Sequence, residues 1–355
     1  MSRPARRRGA PKGRDLPLHR RLAIMGASGA STLGVILAAI LVAGLWFYFG
    51  PGPRAPVGAS TTVILRQGAH LPEIAATLER SHAISSGALF MAATQITGAA
   101  KRLKAGEYEF PSHASMAQVI DKIRRGEIVH HMVTIPEGLT SEQAVDILMN
   151  TAVLTGAAPI PPEGAILPET YEVRRGEDRA AVLQRMMDAR DELLRTLWAQ
   201  RRDGLPFASP EQAVTLASIV EKETGLADER PRVAAVFVNR LTQGIRLESD
   251  PTVVYGLTGG RPLGHGIRQS ELTTPTPYNT YLIAGLPPTP ICNPGRASLA
   301  AVLDPPRTDE LYFVANGLGG HNFSSTLAEH QKNVEHWRAI EHQTKAAPAA
   351  PAGGG

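Results

Sequence analysis

The chain has 355 residues, enough for a membrane segment and about two domains. Its 43% hydrophobic and 20% charged residues are the composition of a folded protein and exclude wholesale disorder. The net charge of +4 is carried by the N-terminus, where Arg3, Arg6, Arg7, Arg8, Lys12, Arg14 and Arg20 are opposed only by Asp15. The remainder is near neutral or slightly acidic, so no nucleic-acid footprint runs across it and no nucleic-acid partner is expected.

Taken in chain order, residues 1–22 read as a basic cytoplasmic tail and residues 23–49 as a transmembrane helix. No charge occurs between Arg21 and Arg54, and the run from Leu33 to Phe49 is almost wholly apolar. With its small-residue lead-in, it exceeds the ~20 residues a bilayer crossing needs. Trp46, Phe47 and Tyr48 stand where an interfacial aromatic belt belongs, and the basic cluster ahead of them places the N-terminus in the cytoplasm. A cleaved signal peptide is the rival reading. The apolar run is longer than a usual signal core, and cleavage would need a site near Ala55–Ala59.

Residues 50–60, rich in proline and glycine, read as a stiff solvated linker. Residues 61–134 read as a small α+β module. Thr62–Leu65 has strand composition, Leu71–Pro72 opens a helix, Gly106–Phe110 is a second strand, and Met116, Val119, Ile120 and Ile123 recur at helical spacing. Gly126–Thr134 reads as a third strand. Residues 135–342 form a second, larger domain. Thr140 with Gln143 predicts a capping box, and Thr155–Gly164 looks like an internal boundary. Helices are expected over about Arg179–Arg202, Glu211–Thr224 and Glu229–Gln243. Ser209-Pro210 starts the second of these and Gly225 stops it. Leu247–Ile291 reads as a long loop with little regular structure, the kind of segment that forms a functional surface. Leu311–Ala315 is a strand, Leu327–His342 a final helix, and residues 343–355 a disordered tail.

The segment Val214–Gly225, VTLASIVEKETG, carries the chemistry. On a helix, Glu223 shares a face with Leu216, Ile219 and Val220, so its carboxyl is partly desolvated and its pKa rises toward neutrality. That is the state a general acid needs. Glu221 points about 200° away around the helix. Two glutamates near a helix end are more often solvated surface charges, and pattern alone does not separate the readings.

Cys292 is the only cysteine, which rules out an intramolecular disulfide and a thiolate metal cluster. His130-His131 in a strand points to opposite faces, and His321 and His330 form no compact ligand spacing, so no metal is expected. No phosphate-binding glycine loop is present, and no cofactor is expected.

The string Leu216–Thr224 resembles the signature of the endolytic murein transglycosylases of the MltG/YceG-like family. The resemblance continues through Glu229-Arg230, Val233–Leu241, Arg246–Gly256, Thr274–Tyr281, Gly285–Pro288, Asn293–Gly295 and Gly319–Phe323. It spans about Thr61–Glu341, with departures at Leu167, Glu169 and Glu248. It implies that Glu223 is the catalytic acid/base, that residues 61–134 are LysM-like, and that the second domain is a lysozyme-like mixed α+β fold. The implied reaction is endolytic cleavage of the MurNAc–GlcNAc bond of nascent peptidoglycan strands to 1,6-anhydro-MurNAc ends, which would terminate elongation. Asp250, Tyr255, Asn279 and Tyr281 are the candidate substrate-binding residues from the long loop, with Glu221 and His321 beside them. The implied setting is the cell inner membrane, with a periplasmic catalytic domain and peptidoglycan synthases as further partners. A muramidase using Glu223 and Asp250, and a non-catalytic wall-binding scaffold, are the alternatives.

Overall fold

The computed structural model describes residues 18–346, with side chains over 31–342. The expected tails before Leu18 and after Ala346 lie outside the described residues. The architecture is mixed α+β, as expected, and the chain divides into two compact units at Val129/His130.

The first unit opens with helix α1 (Leu18–Phe49), whose Ser31–Phe49 stretch is long and apolar enough to cross a membrane and is unburied by protein. Strands β1 (Ser60–Leu65) and β2 (Gly106–Pro111) pair antiparallel, Val63 opposite Tyr108, with helices α2 (Leu71–Arg80) and α3 (Gly87–Ile96) between them. Helix α4 (Met116–Arg125) follows, started by a reciprocal Ser115–Gln118 capping box. Val63, Leu78, Phe90, Tyr108, Phe110, Val119 and Ile123 interdigitate as its core.

Two expectations change here. Pro51–Pro56 is docked on the unit and is not a solvated spacer. Gly52 donates its N–H to the His113 carbonyl at 3.1 Å, His113 donates to the Pro53 carbonyl at 3.0 Å, and Ala55 donates to Ser112 Oγ at 3.1 Å. The strand expected over Gly126–Thr134 is only His131–Thr134 (β3), because Gly126 takes a left-handed φ of 76° to cap α4. A residue with a Cβ resists that conformation, so the chain turns there before extending.

In the second unit β3 pairs antiparallel with β4 (Thr170–Val173), Val133 opposite Tyr171. Helix α5 (Ser141–Asn150) starts at the expected Thr140–Gln143 capping box. Helix α6 (Arg179–Ala199) packs Val182, Leu183 and Met186 with Val145, Leu148 and Ile166. Thr155–Gly164 lies inside this unit and is not a boundary, since Thr155 exchanges backbone hydrogen bonds with Glu177 and Arg179.

Helices α7 (Pro210–Glu223) and α8 (Arg230–Thr242) form the larger core with Leu216, Ile219, Val220, Val233 and Phe237. The segment read as a loop across Leu247–Ile291 contains helix α9 (Asp250–Thr258), with Pro251 in its first turn, and the single turn α10 (Gln269–Leu272). Helix α11 (Arg296–Leu303) returns across α7 and α8. The hairpin of β5 (Tyr312–Ala315) and β6 (His321–Ser324) leads into α12 (Leu327–Ala346).

Asn293, fully buried, ties these parts together. Its Oδ1 accepts from the Ile166 N–H at 2.9 Å, and its Nδ2 donates to the Leu139 carbonyl at 3.1 Å and Ser141 Oγ at 3.2 Å. Asn293→Ala leaves several buried partners unsatisfied, which costs about 2–4 kcal/mol. Chemical denaturation of the solubilised chain checks this; a loss under about 1 kcal/mol would show the three bonds to be replaceable.

Candidate active site

The sequence places Glu223 on the last turn of α7 because proline at Pro210 and the Ser209 hydroxyl start the helix there. The helix ends at Glu223 itself. Thr224 is already extended (φ −142°), so the stop is made at Thr224 and not by a left-handed Gly225. From Ala213 to Val220 the helix is buried on every side, with Leu216, Ile219 and Val220 on the face that Glu223 shares.

Glu223 keeps part of its side chain open to solvent, while its carboxyl is enclosed by protein. Desolvation pushes its pKa up to about 7, and the nearby Asp250 charge adds to the rise. Two groups oppose it: a hydrogen bond from Ser249 and the charge of Arg240. Ser249 Oγ donates to Glu223 Oε1 at 2.5 Å, and Ser249 is only 1% exposed.

Ser249 is itself braced. Its N–H donates to Thr280 Oγ1 at 2.9 Å, its carbonyl accepts from Thr252 Oγ1 at 2.7 Å, and the two threonine hydroxyls bond at 2.8 Å. Behind it, the buried guanidinium of Arg240 donates to the carbonyls of Arg246 and Leu247, each at 3.0 Å, and to Glu248 Oε2 at 3.2 Å. Glu248 adopts φ 52°, an uncommon conformation for a side chain with a Cβ, directly before Ser249.

Asp250 and Tyr281 join this group. Tyr281 Oη donates to Asp250 Oδ1 at 2.7 Å, and burial with the Asp250 and Glu223 charges pushes the phenol up, so it stays a donor. Asp250 and Tyr255 also line a cleft of about 410 Å³, with Thr140, Lys222, Val254 and Arg261 among its other walls. The Ser249–Glu223 bond thus joins the two segments that supply Lys222 and Asp250 to that cleft.

Three expected site residues sit differently. Asn279 is fully buried, and its amide is consumed by the loop: Nδ2 donates to the Leu272 and Thr274 carbonyls and Oδ1 accepts from the Tyr281 N–H. It cannot reach a substrate and instead holds Tyr281 in place. Glu221 turns away from Glu223, where its Oε2 accepts from the Gly295 N–H at 2.9 Å and Ser298 Oγ at 2.7 Å, at the start of α11. Arg230 lies 3.8 Å from its other oxygen. A carboxylate there complements the positive end of the helix, so Glu221 serves the scaffold. His321 belongs to β6, where Nδ1 lies 2.7 Å from Glu229 Oε2 and its backbone N–H donates to Oε1 at 2.8 Å. Although burial works the other way, these bonds hold the Glu229 carboxyl below its usual range. None of the groups acting on Glu223 comes from that hairpin.

Sequence reading missed Ser249 and Arg240. The only signal for Ser249 was its place ahead of Asp250-Pro251 in a run that resembled the family, since no periodicity reveals a donor 26 residues away. Among the described residues no cluster of His, Cys, Asp or Glu is suited to a metal ion.

The geometry defines a class of site: one enclosed carboxylic acid, poised to exchange its proton near neutrality, beside an open cleft of mixed apolar and polar lining. The YceG-like family model matches residues 63–336, and the chain belongs to that family. It is 26% identical over 340 residues to the endolytic murein transglycosylase of Bacillus subtilis (strain 168), covering 85% of this chain and 93% of the relative. It is 25% identical to the endolytic murein transglycosylase of Streptococcus pneumoniae serotype 2, covering 84% of this chain but 63% of that longer protein. A crystal structure of a putative yceG-like protein from Listeria monocytogenes superposes with a TM-score of 0.49 at 28% identity, over 77% of this chain and 98% of that one.

Two predictions follow from the carboxyl's surroundings. A carboxylic acid with a raised pKa binds its proton more tightly folded than unfolded, so the Glu223 contribution to stability is greatest below pH ~4.5. It declines between there and about pH 7, then levels off. The shift from 4.5 to about 7 corresponds to about 3 kcal/mol. Glu223→Gln should therefore gain up to that much over the parent above pH 7 and little at acid pH, as read by unfolding against pH. Equal stability at all pH would mean that the carboxyl is not desolvated. Separately, Ser249→Ala removes the hydrogen bond that favours the ionised form. The Glu223 carboxyl, followed by ¹³C NMR, should then titrate at higher pH than in the parent, and an unchanged midpoint would count against the bond.

Proposed function

We propose that this chain is an endolytic lytic transglycosylase that cleaves the MurNAc–GlcNAc bond of nascent peptidoglycan strands, with Glu223 as its single acid/base. The observation that carries the reading is the Glu223 carboxyl, desolvated to a pKa of about 7 and held by Ser249 through one oxygen. The names of the Bacillus and Streptococcus relatives support the same reaction and substrate.

In the first step the protonated Glu223 gives its proton to the glycosidic oxygen as positive charge develops at the anomeric carbon. In the second, the resulting carboxylate takes the proton of the C6 hydroxyl of the same MurNAc, which attacks that carbon and closes a 1,6-anhydro ring. Because the nucleophile is part of the substrate, its effective concentration replaces an activated water. Ser249 engages Oε1 and leaves Oε2 for the proton. Asp250, with Tyr281 donating to it, supplies negative charge beside the developing cation, and Tyr255 on the cleft wall offers a ring face to a sugar.

The same reading extends to the rest of the chain. The βααβ portion of the first unit serves as a LysM-like glycan-binding module, and the second as a lysozyme-like catalytic domain. Ser31–Phe49 anchors the chain in the cytoplasmic membrane with the N-terminus inside and the catalytic unit periplasmic. Confinement to the membrane restricts cleavage to newly made strands, next to the synthases, where cutting terminates elongation.

A muramidase is the second reading, favoured by one observation: Asp250 is close enough to raise the proton affinity of Glu223 and is exposed to solvent. The products separate the two. Mass spectrometry of uncrosslinked glycan digested by the solubilised chain should give anhydro-ended fragments, lighter by one water than reducing-ended ones. The Glu223→Gln chain should give none, with activity reduced by at least about 10³-fold. Reducing ends would make the protein a hydrolase, and strands bound but uncut by the parent would leave a wall-binding scaffold.

A further inference from the structure

We propose that the face of the first unit beside the exit of α1 docks onto the headgroups of anionic phospholipids. This rests on the reading of α1 as a membrane anchor, and it goes beyond that reading by giving the unit itself a lipid-binding surface.

The join between helix and unit fixes the height of that face. Tyr48, one residue from the end of the apolar span, packs against the unit's core, and the chain from Gly52 to Ala55 is hydrogen-bonded to the turn at Ser112-His113. With a rise of about 1.5 Å per residue, the Tyr48 Cα lies within about 2 Å of the end of the span. The headgroup layer on each side of a bilayer is about 5–8 Å thick. Side chains around the Tyr48 ring therefore sit in that layer.

The surroundings of that ring have the chemistry of a headgroup site. A cleft of about 190 Å³ is lined by Tyr48, Thr97, Arg102, Ile120 and Arg124 among others. Arg102 is exposed, and its guanidinium has no hydrogen bond or ion pair among the described residues. Arg124 bonds Asp121 at 2.6 Å through one nitrogen, leaving further donors. Lys104 Nζ donates to the Arg125 carbonyl at 2.9 Å, which sets Lys104 beside the basic end of α4, while Arg102 and Arg124 line the cleft together. Asp121 and Glu127 pair with this basic end through carboxylates, both by way of arginine. The fork of an arginine suits a phosphodiester.

Directly before Thr97 stands Ile96, 87% exposed. A lone exposed isoleucine is ordinary. Next to a basic cleft at the height of the headgroups, it completes the apolar-plus-cationic pairing by which segments bind the membrane interface. A protein partner would suit the same charges, but it would have to lie within the lipid headgroup layer to reach the Tyr48 cleft.

The test uses the full chain in nanodiscs of phosphatidylcholine, with and without phosphatidylglycerol. Cys292 is buried, so an environment-sensitive fluorophore can be placed selectively at Gln95→Cys, beside the cleft but outside its lining. The expected result is a blue shift and quenching by nitroxide-labelled lipid that are several-fold stronger with phosphatidylglycerol and are reversed by salt. Arg102→Glu should weaken the anionic-lipid dependence by about fivefold or more, and Ile96→Asn should reduce the quenching in both lipids. Identical spectra in the two lipids, from a chain that has entered the discs, would overturn the headgroup surface and leave the anchor standing. Failure to enter either disc would overturn the anchor, and the headgroup surface with it.

Discussion

A carboxyl that must hold a proton near neutral pH has to lose most of its water without being sealed from its substrate. In this chain the Ser249–Glu223 hydrogen bond reconciles the two demands. It satisfies one oxygen inside the protein at 2.5 Å and leaves the other unassigned. Desolvation alone would drive the pKa further from 4.5, and the serine and Arg240 pull it back to about 7. The site is a balance of opposing effects, and a single strong interaction would place the proton affinity too high or too low for the acid and base roles proposed for Glu223.

Much of the second unit follows from keeping Ser249 where it is. Arg240, buried on α8, spends its donors on the carbonyls of Arg246 and Leu247, so the chain arrives at Glu248 already fixed. The left-handed backbone at Glu248 then turns Ser249 inward, at a strain of about 1–3 kcal/mol. The Thr252–Thr280 pair holds both faces of that turn, and Asn279 consumes its amide to hold the neighbouring Tyr281. Buried polar groups of this kind are costly if unpaired. Here each partner is used, which makes the arrangement rigid and leaves little tolerance for a single missing group.

The helices were legible because their signals are local. The Thr140–Gln143 capping box, the Ser209-Pro210 start and the apolar stripe of α7 all lie within a few residues of what they determine. Glu223 was legible for the same reason, since its neighbours on the helix face bury it. Asp250–Thr258 reads as loop from sequence because its proline, glycine and threonines argue against helix one residue at a time. In the fold, Pro251 occupies the first turn, where it costs nothing, and burial of Thr252 and Val253 supplies the rest. The strand at Gly126–Thr134 was overextended because alternation says nothing of partners, and β3 finds its partner about 40 residues away in β4. Ser249 and Arg240 were out of reach on similar grounds: what they do depends on contacts that no spacing encodes.

Two glutamates two positions apart on α7 show how far a local pattern can go. Both sit on the last turn, and composition treats them alike. About 200° of helix separates them, which is enough to send one under the N-terminus of α11 and the other to Ser249. Glu221 meets backbone and hydroxyl donors and the Arg230 charge, surroundings that suit an anchor. Glu223 meets one hydroxyl, a neighbouring carboxylate and an apolar stem, surroundings that favour the proton. Asp250 contributes to that second environment as a charge while its Oδ1 is engaged by Tyr281. A carboxylate so engaged is a weaker nucleophile or base than a free one, which argues for a site built on one proton-carrying group and a charge beside it.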